Sequence, residues 1–421
     1  MVDADQTFVI VGGGLAGAKA AETLRAEGFS GRVILICDER DHPYERPPLS
    51  KGYLLGKEER ESVFVHEPSW YARNDIELHL GQTVDAIDRE AKTVRFGDDG
   101  TLVRYDKLLL ATGAEPRRLD IPGTDLAGVH HLRRLAHAER LKGVLTSLGR
   151  DNGHLVIAGA GWIGLEVAAA AREYGAEVTV IEPEPTPLHA VLGPELGSLF
   201  AELHSEHGVR FRFGVRLTEI VGQDGVVLAA RTDDGDEHPA HDVLAAIGAA
   251  PRTGLAEAAG LEIADRAHGG GVVVDERLRT SDPDIYAAGD IASLHHPLFG
   301  TRLRVEHWAN ALNGGPAAAR AMLGREVTYD RVPYFFSDQY DVGMEYSGWA
   351  PPGSYDQVVL RGDAGKRHFI AFWLKKGRVL AGMNVNVWDV TERIQSLIRT
   401  GAVVDAEALA DPGVPLESLV S

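Results

Sequence analysis

The chain has 421 residues, 44 % of them hydrophobic, which is enough for two or three domains with separate cores. Its 43 Lys and Arg against 62 Asp and Glu give a formal net charge of −19, a balance that argues against a nucleic-acid partner, because phosphate contacts need clustered cations. A single cysteine, Cys37, excludes an intramolecular disulfide or a CxxC redox pair and suits a reducing compartment.

Phe8-Val-Ile-Val-Gly12-Gly-Gly14-Leu15-Ala16-Gly17 is an apolar run ending in a glycine-rich turn. A helix-forming run, Ala18 to Glu27, follows, and then a second apolar run, Val33-Ile-Leu-Ile-Cys37, that ends at Asp38. Strand, tight turn, helix, strand and acid make up the unit that binds a dinucleotide. Gly12 permits the turn, Gly14 admits a pyrophosphate, and Gly17 lets helix and strand approach. Asp38 stands 24 residues after Gly14, where it can accept from ribose hydroxyls. Cys37 reads as a small buried residue.

Arg46-Pro-Pro-Leu-Ser-Lys51 is a loop stiffened by two prolines, with a short helix able to start at Leu49. Short strands are predicted around Glu77–Leu80, Thr83–Asp88 and Leu102–Tyr105. Lys107-Leu-Leu-Leu-Ala111-Thr112-Gly113 is a buried-strand pattern ending at a glycine, and Pro116 and Pro122 mark a connector.

The opening pattern then recurs. His154-Leu-Val-Ile-Ala-Gly159-Ala-Gly161-Trp162-Ile163-Gly164 is a second GxGxxG, followed by a predicted helix from Leu165 to Tyr174, a Gly175 cap, and a strand Glu177–Ile181 ending at Glu182. Asp242 to Gly248 closes this unit. Ala287-Ala-Gly289-Asp290 presents an acid at a strand end, and a helix is expected from Glu306 to Met322. Residues 334 to 383 alternate in five runs that read as an antiparallel sheet, with a helical tail from Asp389 to about Thr400.

Two such units imply two dinucleotides, one held and one exchanging, for which FAD and a nicotinamide are the natural pair; hydride transfer needs their rings in contact. Glu182 meets the ribose, where a carboxylate accepts from a 2′-hydroxyl and repels a 2′-phosphate, and no Arg or Lys follows before residue 210. NADH is therefore expected over NADPH. Adjacent histidines, His130-His131 and His295-His296, do not have metal-ligand spacing, and no metal is expected. No apolar run approaches the roughly eighteen residues needed to span a bilayer. With an acidic start that enters a strand within seven residues, the chain is expected to be cytoplasmic, without a signal peptide or membrane contact.

The order GGGLAG, HPYERPPLSK, LLLATGAEPR, GAGWIGLE, TSDPDIYAAGDIA and VEHWANAL resembles the FAD- and NADH-dependent ferredoxin reductases that serve cytochrome P450s and aromatic-ring dioxygenases. The likeness runs from Phe8 to the tail. It implies an α/β, glutathione-reductase-like fold: two Rossmann-type dinucleotide-binding domains plus a C-terminal α+β domain. The FAD domain would take residues 1–114 and 246–324, the NAD domain 115–245, and the third domain 325–421. FAD contacts are implied from Ala16, Asp38, Lys51, Val84, Arg133, Asp290 and Trp308, with Gly12, Gly14, Leu15, Gly17, Arg46, Ala111, Thr112, Gly113 and Gly289 around them. NAD contacts would come from Gly159, Gly161, Trp162, Ile163, Gly164, Glu166, Glu182 and Gly248. The implied partner is an iron–sulfur ferredoxin, of [2Fe-2S] or another type, feeding a P450 or dioxygenase.

Roles follow from chemistry as well. Reduced flavin is anionic, so a cation near its N5 edge stabilises it; Lys51 is the candidate, with Arg46 near the same ring. Glu166 would pair with Lys51 and accept from the nicotinamide carboxamide, although a first-turn acid also suits the helix dipole. Asp290 would hold the ribityl chain or simply end a strand. Trp308 would wall the flavin or serve as core. The basic residues Arg302, Arg304, Arg320, Arg325 and Arg331 form a candidate docking face for an acidic ferredoxin, or plain solvated charge. Competing readings are an NADH:acceptor reductase or oxidase with no dedicated ferredoxin, and an apoptosis-inducing-factor-like flavoprotein acting through protein binding. Three positions depart from the family pattern: Asn313 for a usual Gln, Phe335 or Phe336 for a Trp, and Arg252-Thr253 for an Asn.

Overall fold

The computed structural model describes residues 5–420. The chain forms two compact units, one of residues 1–45, 60–115 and 250–334, the other of residues 46–59, 116–249 and 335–421.

The first unit is built on a five-stranded sheet in the order Ile285–Ala287, Lys107–Leu110, Thr7–Val11, Arg32–Ile36, Ile76–His79, with every pairing parallel. A parallel sheet is covered on both faces, so its strands read as unbroken apolar runs; Phe8 to Val11, Val33 to Ile36 and Leu108 to Leu110 are all buried. The helices Leu15–Ala26 and Trp308–Met322 pack together through small residues. A Cβ on Gly315 would stand 2.1 Å from the Ala16 carbonyl oxygen, so only glycine allows this approach. The unit also holds an antiparallel sheet of Val84–Asp88, Thr93–Phe96 and Thr101–Arg104, and a mixed sheet of Val272–Val274, Ala292–His296 and Thr301–Leu303.

The second unit repeats the design. Its parallel sheet runs Val209–Phe213, Glu177–Glu182, His154–Ala158, Asp242–Ala245, Val129–His130. It also holds the antiparallel sheet that the alternation from 334 onward predicts, ordered Tyr334–Gln339, Val342–Gly348, Arg378–Val385, His368–Lys375, Gln357–Asp363, with the helix Thr391–Thr400 against it. Thr7–Val11 lies in the middle of the first sheet and His154–Ala158 in the middle of the second, and the strands that follow each of them in the chain lie to both sides. That reversal makes a topological switch point at its carboxyl end, where such sheets bind ligands.

Most predicted elements stand within a few residues of their expected bounds. The helix after the second GxGxxG begins at Trp162 rather than Leu165, and the tail helix at Thr391. Two long helices go beyond the elements expected from the sequence. Leu135–Asp151 buries Leu135, Ala138, Leu141, Leu145 and Leu148, a helical period masked by the charged residues between. His189–Glu206 is broken at Gly193 (φ +77°) ahead of Pro194, the punctuation that hides it as one element. The strands Leu217–Gln223 and Val226–Thr232 are half exposed and carry register shifts, which blurs the alternation that marks a strand.

The segment 46–59 packs with the second unit. Leu54 is fully buried in the core that includes Leu141 and Leu145, and Tyr174 donates to the Leu54 carbonyl at 3.0 Å.

Candidate active site

Each switch point carries a glycine turn, and the two turns have nearly the same backbone. Gly12 has φ +118° and Gly159 φ +101°. A Cβ would fall 2.1 Å from the Ala111 oxygen at the first and 2.5 Å from the Ala246 oxygen at the second. Gly14 (φ −79°, ψ −177°) and Gly161 (φ −79°, ψ −178°) each precede the first turn of a helix, and no side chain caps either start. A Cβ on either would meet nothing within 4 Å. Both helix starts thus lack a side-chain cap and have room beside the glycine that precedes them, the arrangement that receives a phosphate. Gly17 and Gly164 lie against the turn itself: their Cβ atoms would stand 2.1 and 2.2 Å from the Gly12 and Gly159 oxygens.

Around the first turn, Leu15 and Ala16 are buried in the helix start. Gly13 has no room for a side chain because the Cys37 sulfur would lie 2.3 Å from its Cβ. The Cys37 thiol is buried and pushed up by desolvation and by Asp38 and Glu39, so it packs as an inert small residue. Asp38 follows the strand Arg32–Ile36 and pairs with Arg252 at 3.0 Å. The same arginine ties down Ala111-Thr112-Gly113: its N–H donates to the Gly113 oxygen at 3.0 Å and its carbonyl accepts from the Thr112 hydroxyl at 3.2 Å. Gly289 (φ +78°) would place a Cβ 3.2 Å from that of Ala16, bringing Asp290 beside the helix start. Trp308 is only partly buried, and its indole N–H donates to Glu45 at 2.9 Å. Val84 is buried at the head of its strand.

At the second turn the Glu182 carboxylate accepts from the Ala160 N–H at 2.7 Å and the Glu184 N–H at 3.0 Å. The nearest arginines on the neighbouring strand are engaged elsewhere: Arg210 with Glu177, and Arg212 with Asp234 and Asp236 at 2.6 and 2.7 Å. Trp162 packs edge-on to Phe200 and Phe335, while Ile163 is exposed at the helix start. Gly248 (φ +92°) accepts from the Arg117 N–H at 2.9 Å.

Lys51 and Glu166, 115 positions apart, form an ion pair at 2.6 Å with side chains 14 % and 3 % exposed. Pro47 and Pro48 fix the 3-10 turn Pro47–Ser50 that delivers the lysine. The carboxylate also accepts from the Ser50 hydroxyl at 2.5 Å and the Ser337 hydroxyl at 2.6 Å. A buried charge is tolerable only when paired and hydrogen-bonded, and Glu166 has three donors. The Phe336 ring lies 5.3 Å from the Lys51 nitrogen, whereas Phe335 stacks on Tyr346. Arg46 donates to the Arg133 carbonyl, so those two expected residues are also brought together.

Sequence reasoning did not single out Ser50, Ser337, Gln339 or His204. The signal for two of them was present: in Tyr334–Gln339 the inward face is Phe335, Ser337, Gln339, and buried polar side chains at core positions of a strand ask for partners. The basic run is mostly spent within the chain. Arg304 is nearly buried and bonds Glu306 and the carbonyls of Gly269 and Asp290, Arg320 pairs with Glu27, and Arg302 donates to Ser293. Among the described residues no group of three or more His, Cys, Asp or Glu is arranged to hold a metal, and no helix is long and apolar enough to cross a membrane.

Two glycine turns of matched geometry, each followed by an acid, on two doubly wound sheets define an oxidoreductase of the two-dinucleotide class. The family model for pyridine nucleotide-disulphide oxidoreductases matches residues 6–315, and that for the reductase C-terminal domain matches 334–420. The chain is 39 % identical over 414 residues to the ferredoxin–NAD(+) reductase component of the anthranilate 1,2-dioxygenase system of Burkholderia cepacia, covering 98 % of this chain and 99 % of that one. Among solved structures it resembles putidaredoxin reductase in its covalent complex with putidaredoxin, with TM-score 0.93, 35 % identity and 99 % of each chain covered. It likewise resembles the ferredoxin reductase for the CYP199A2 system from Rhodopseudomonas palustris, with TM-score 0.92, 36 % identity, and 99 % and 100 % covered. The chain belongs to the pyridine nucleotide-disulphide oxidoreductase family, among its ferredoxin reductases, and has their glutathione-reductase-like fold. FAD and a nicotinamide nucleotide are the cofactors of that family.

Proposed function

We propose that this chain passes electrons from NADH through FAD to an iron–sulfur ferredoxin, which in turn supplies a cytochrome P450 or a ring-hydroxylating oxygenase. The observation that carries this reading is the pairing of two open glycine turns with a single, buried cysteine. Electrons can enter from a nicotinamide, yet no dithiol exists to receive them, so they leave to an external acceptor. The relatives named for ferredoxin reduction supply the kind of acceptor.

Bound FAD supplies the chemistry of taking a hydride and returning single electrons. In this reading residues 1–114 and 246–324 serve FAD, 115–245 the nicotinamide, and 325–421 form the C-terminal α+β part. The cradle beside Gly14 fits a pyrophosphate, with Asp38 for its ribose, Asp290 for the ribityl chain, and Trp308, Val84, Arg46 and Arg133 as further contacts. Gly161 offers the second cradle, and Glu182 favours the free 2′-hydroxyl of NADH, since the nearby Arg210 and Arg212 are already neutralised. Lys51 supplies positive charge to the reduced flavin, and Glu166 holds Lys51 and accepts from the carboxamide.

The test is turnover of NADH with cytochrome c as the final acceptor, with and without a panel of ferredoxins. A large stimulation by at least one ferredoxin is expected. Equal rates without any of them would make the protein a general NADH:acceptor reductase.

A further inference from the structure

A file of buried polar side chains leads away from Glu166 through the second unit. Ser337 bonds Glu166 at 2.6 Å, Gln339 bonds Ser337 at 3.0 Å, His204 bonds Gln339 at 2.8 Å, and Tyr340 closes the file at 3.4 Å from His204. Ser337, Gln339 and His204 are 1 %, 2 % and 0 % exposed. Two of them come from the inward face of Tyr334–Gln339, and His204 from the helix His189–Glu206. Hydrophobic side chains at these positions would pack without needing partners, so a complete polar file in a core asks for a role.

Donor counting gives the file a direction. A carboxylate only accepts, so the Ser337 proton points to Glu166. The Ser337 oxygen must then accept from the Gln339 amide nitrogen, which turns the Gln339 carbonyl towards His204. His204 therefore carries its proton on Nε2 and accepts from Tyr340 on Nδ1. Every donor faces Glu166, and bonds aligned in one sense polarise one another. Burial pushes the His204 imidazole down to about 4, which keeps it neutral and this tautomer available.

We propose that His204 is a positioning residue for the Lys51–Glu166 pair: through Gln339 and Ser337 it fixes the Glu166 carboxylate in the one orientation that also receives Ser50 and Lys51. The proposal rests on the assignment of that pair to flavin reduction. An isolated carboxylate can rotate about its last bond. This one has a pre-aligned donor at each oxygen, and the alignment is set more than two side chains away.

The experiment is stopped-flow reduction of the FAD-loaded enzyme by NADH, for His204→Leu, His204→Gln, Ser337→Ala and the double variant His204→Leu/Ser337→Ala. His204→Leu should lower the limiting rate at saturating NADH by about tenfold, the scale of one lost hydrogen bond to a charged group, with NADH affinity changed less than about twofold. His204→Gln, which restores an N–H donor, should recover most of the rate. Ser337→Ala should lose as much as His204→Leu, and the double variant no more than either. A wild-type rate in His204→Leu, multiplying losses in the double variant, or a glutamine variant as slow as the leucine one would overturn the proposal. So would nitrogen NMR of the unaltered holoenzyme finding the His204 proton on Nδ1, a measurement that does not depend on any variant folding. Lys51→Met separates the two readings. If it leaves the rate unchanged, the assignment of the pair falls and this proposal with it. If it slows reduction while His204→Leu does not, the proposal alone falls.

Discussion

The Arg252 guanidinium lies 3.0 Å from the Asp38 carboxylate, 214 positions away in the chain. Arg252 bridges the carboxyl ends of two strands at the first switch point. Both side chains are about a third or less exposed, so the pair adds under about 1 kcal/mol to the empty protein. Arg252→Asn should leave the melting temperature of the FAD-free protein nearly unchanged. It should raise the FAD dissociation constant about fivefold, measured by flavin fluorescence, because a cation beside the pyrophosphate cradle is lost. Unaltered FAD affinity would confine Arg252 to a surface role.

Gly14 and Gly17 separate binding from folding. Gly14 has open space where a Cβ would be, whereas Gly17 has the Gly12 oxygen at 2.1 Å. Gly14→Ala should fold with little change in urea midpoint yet bind FAD poorly. Gly17→Ala should cost roughly 1–3 kcal/mol of stability, the range for overpacking a filled site. The same contrast is expected between Gly161 and Gly164, read out by NADH binding.

Glu182 holds the Ala160 and Glu184 N–H groups as well as standing at the ribose position. Glu182→Ala should lower kcat/KM for NADH about tenfold and leave NADPH less affected, narrowing the preference. Glu182→Gln keeps an acceptor for one of those amides and should fall between. Unchanged discrimination in both variants would remove Glu182 from coenzyme selection.

Breaking the Lys51–Glu166 pair from one side strands a buried carboxylate. Lys51→Met should cost roughly 3 kcal/mol in denaturant unfolding and slow flavin reduction. Adding Glu166→Gln removes the stranded charge and should restore much of the stability without restoring the rate. If stability and rate recover together, the lysine serves the fold alone.

His204 is buried and His307 partly buried, and desolvation holds both down to about 4, against an ordinary value near 6.5. Above pH 6.5 both are neutral whether the chain is folded or not. As the pH falls from 6.5 towards 4, the unfolded chain takes up protons that the folded one refuses, and stability drops by up to roughly 3 kcal/mol per histidine. Denaturant midpoints should decline across that window, and His204→Gln should flatten the decline by about one proton. A midpoint that is level between pH 6.5 and 4 would contradict both assignments.

The sequence alone determined the two dinucleotide turns, the strands that frame them, the acids that close them and the antiparallel sheet beyond residue 334. Those features are local: a parallel strand announces itself by an unbroken apolar run, and a glycine turn by its spacing. Only the tertiary structure decided which side chains meet Glu166. Ser50, the strand residues Ser337 and Gln339, and His204 come from three places in the chain, and nothing in their spacing names Glu166 as the common end point. Arg252 could be read only as a departure until folding set it on Asp38. The physical reason is that a buried polar group is defined by its partners, and partners brought together by a sheet's register leave no trace in the spacing of residues along the chain.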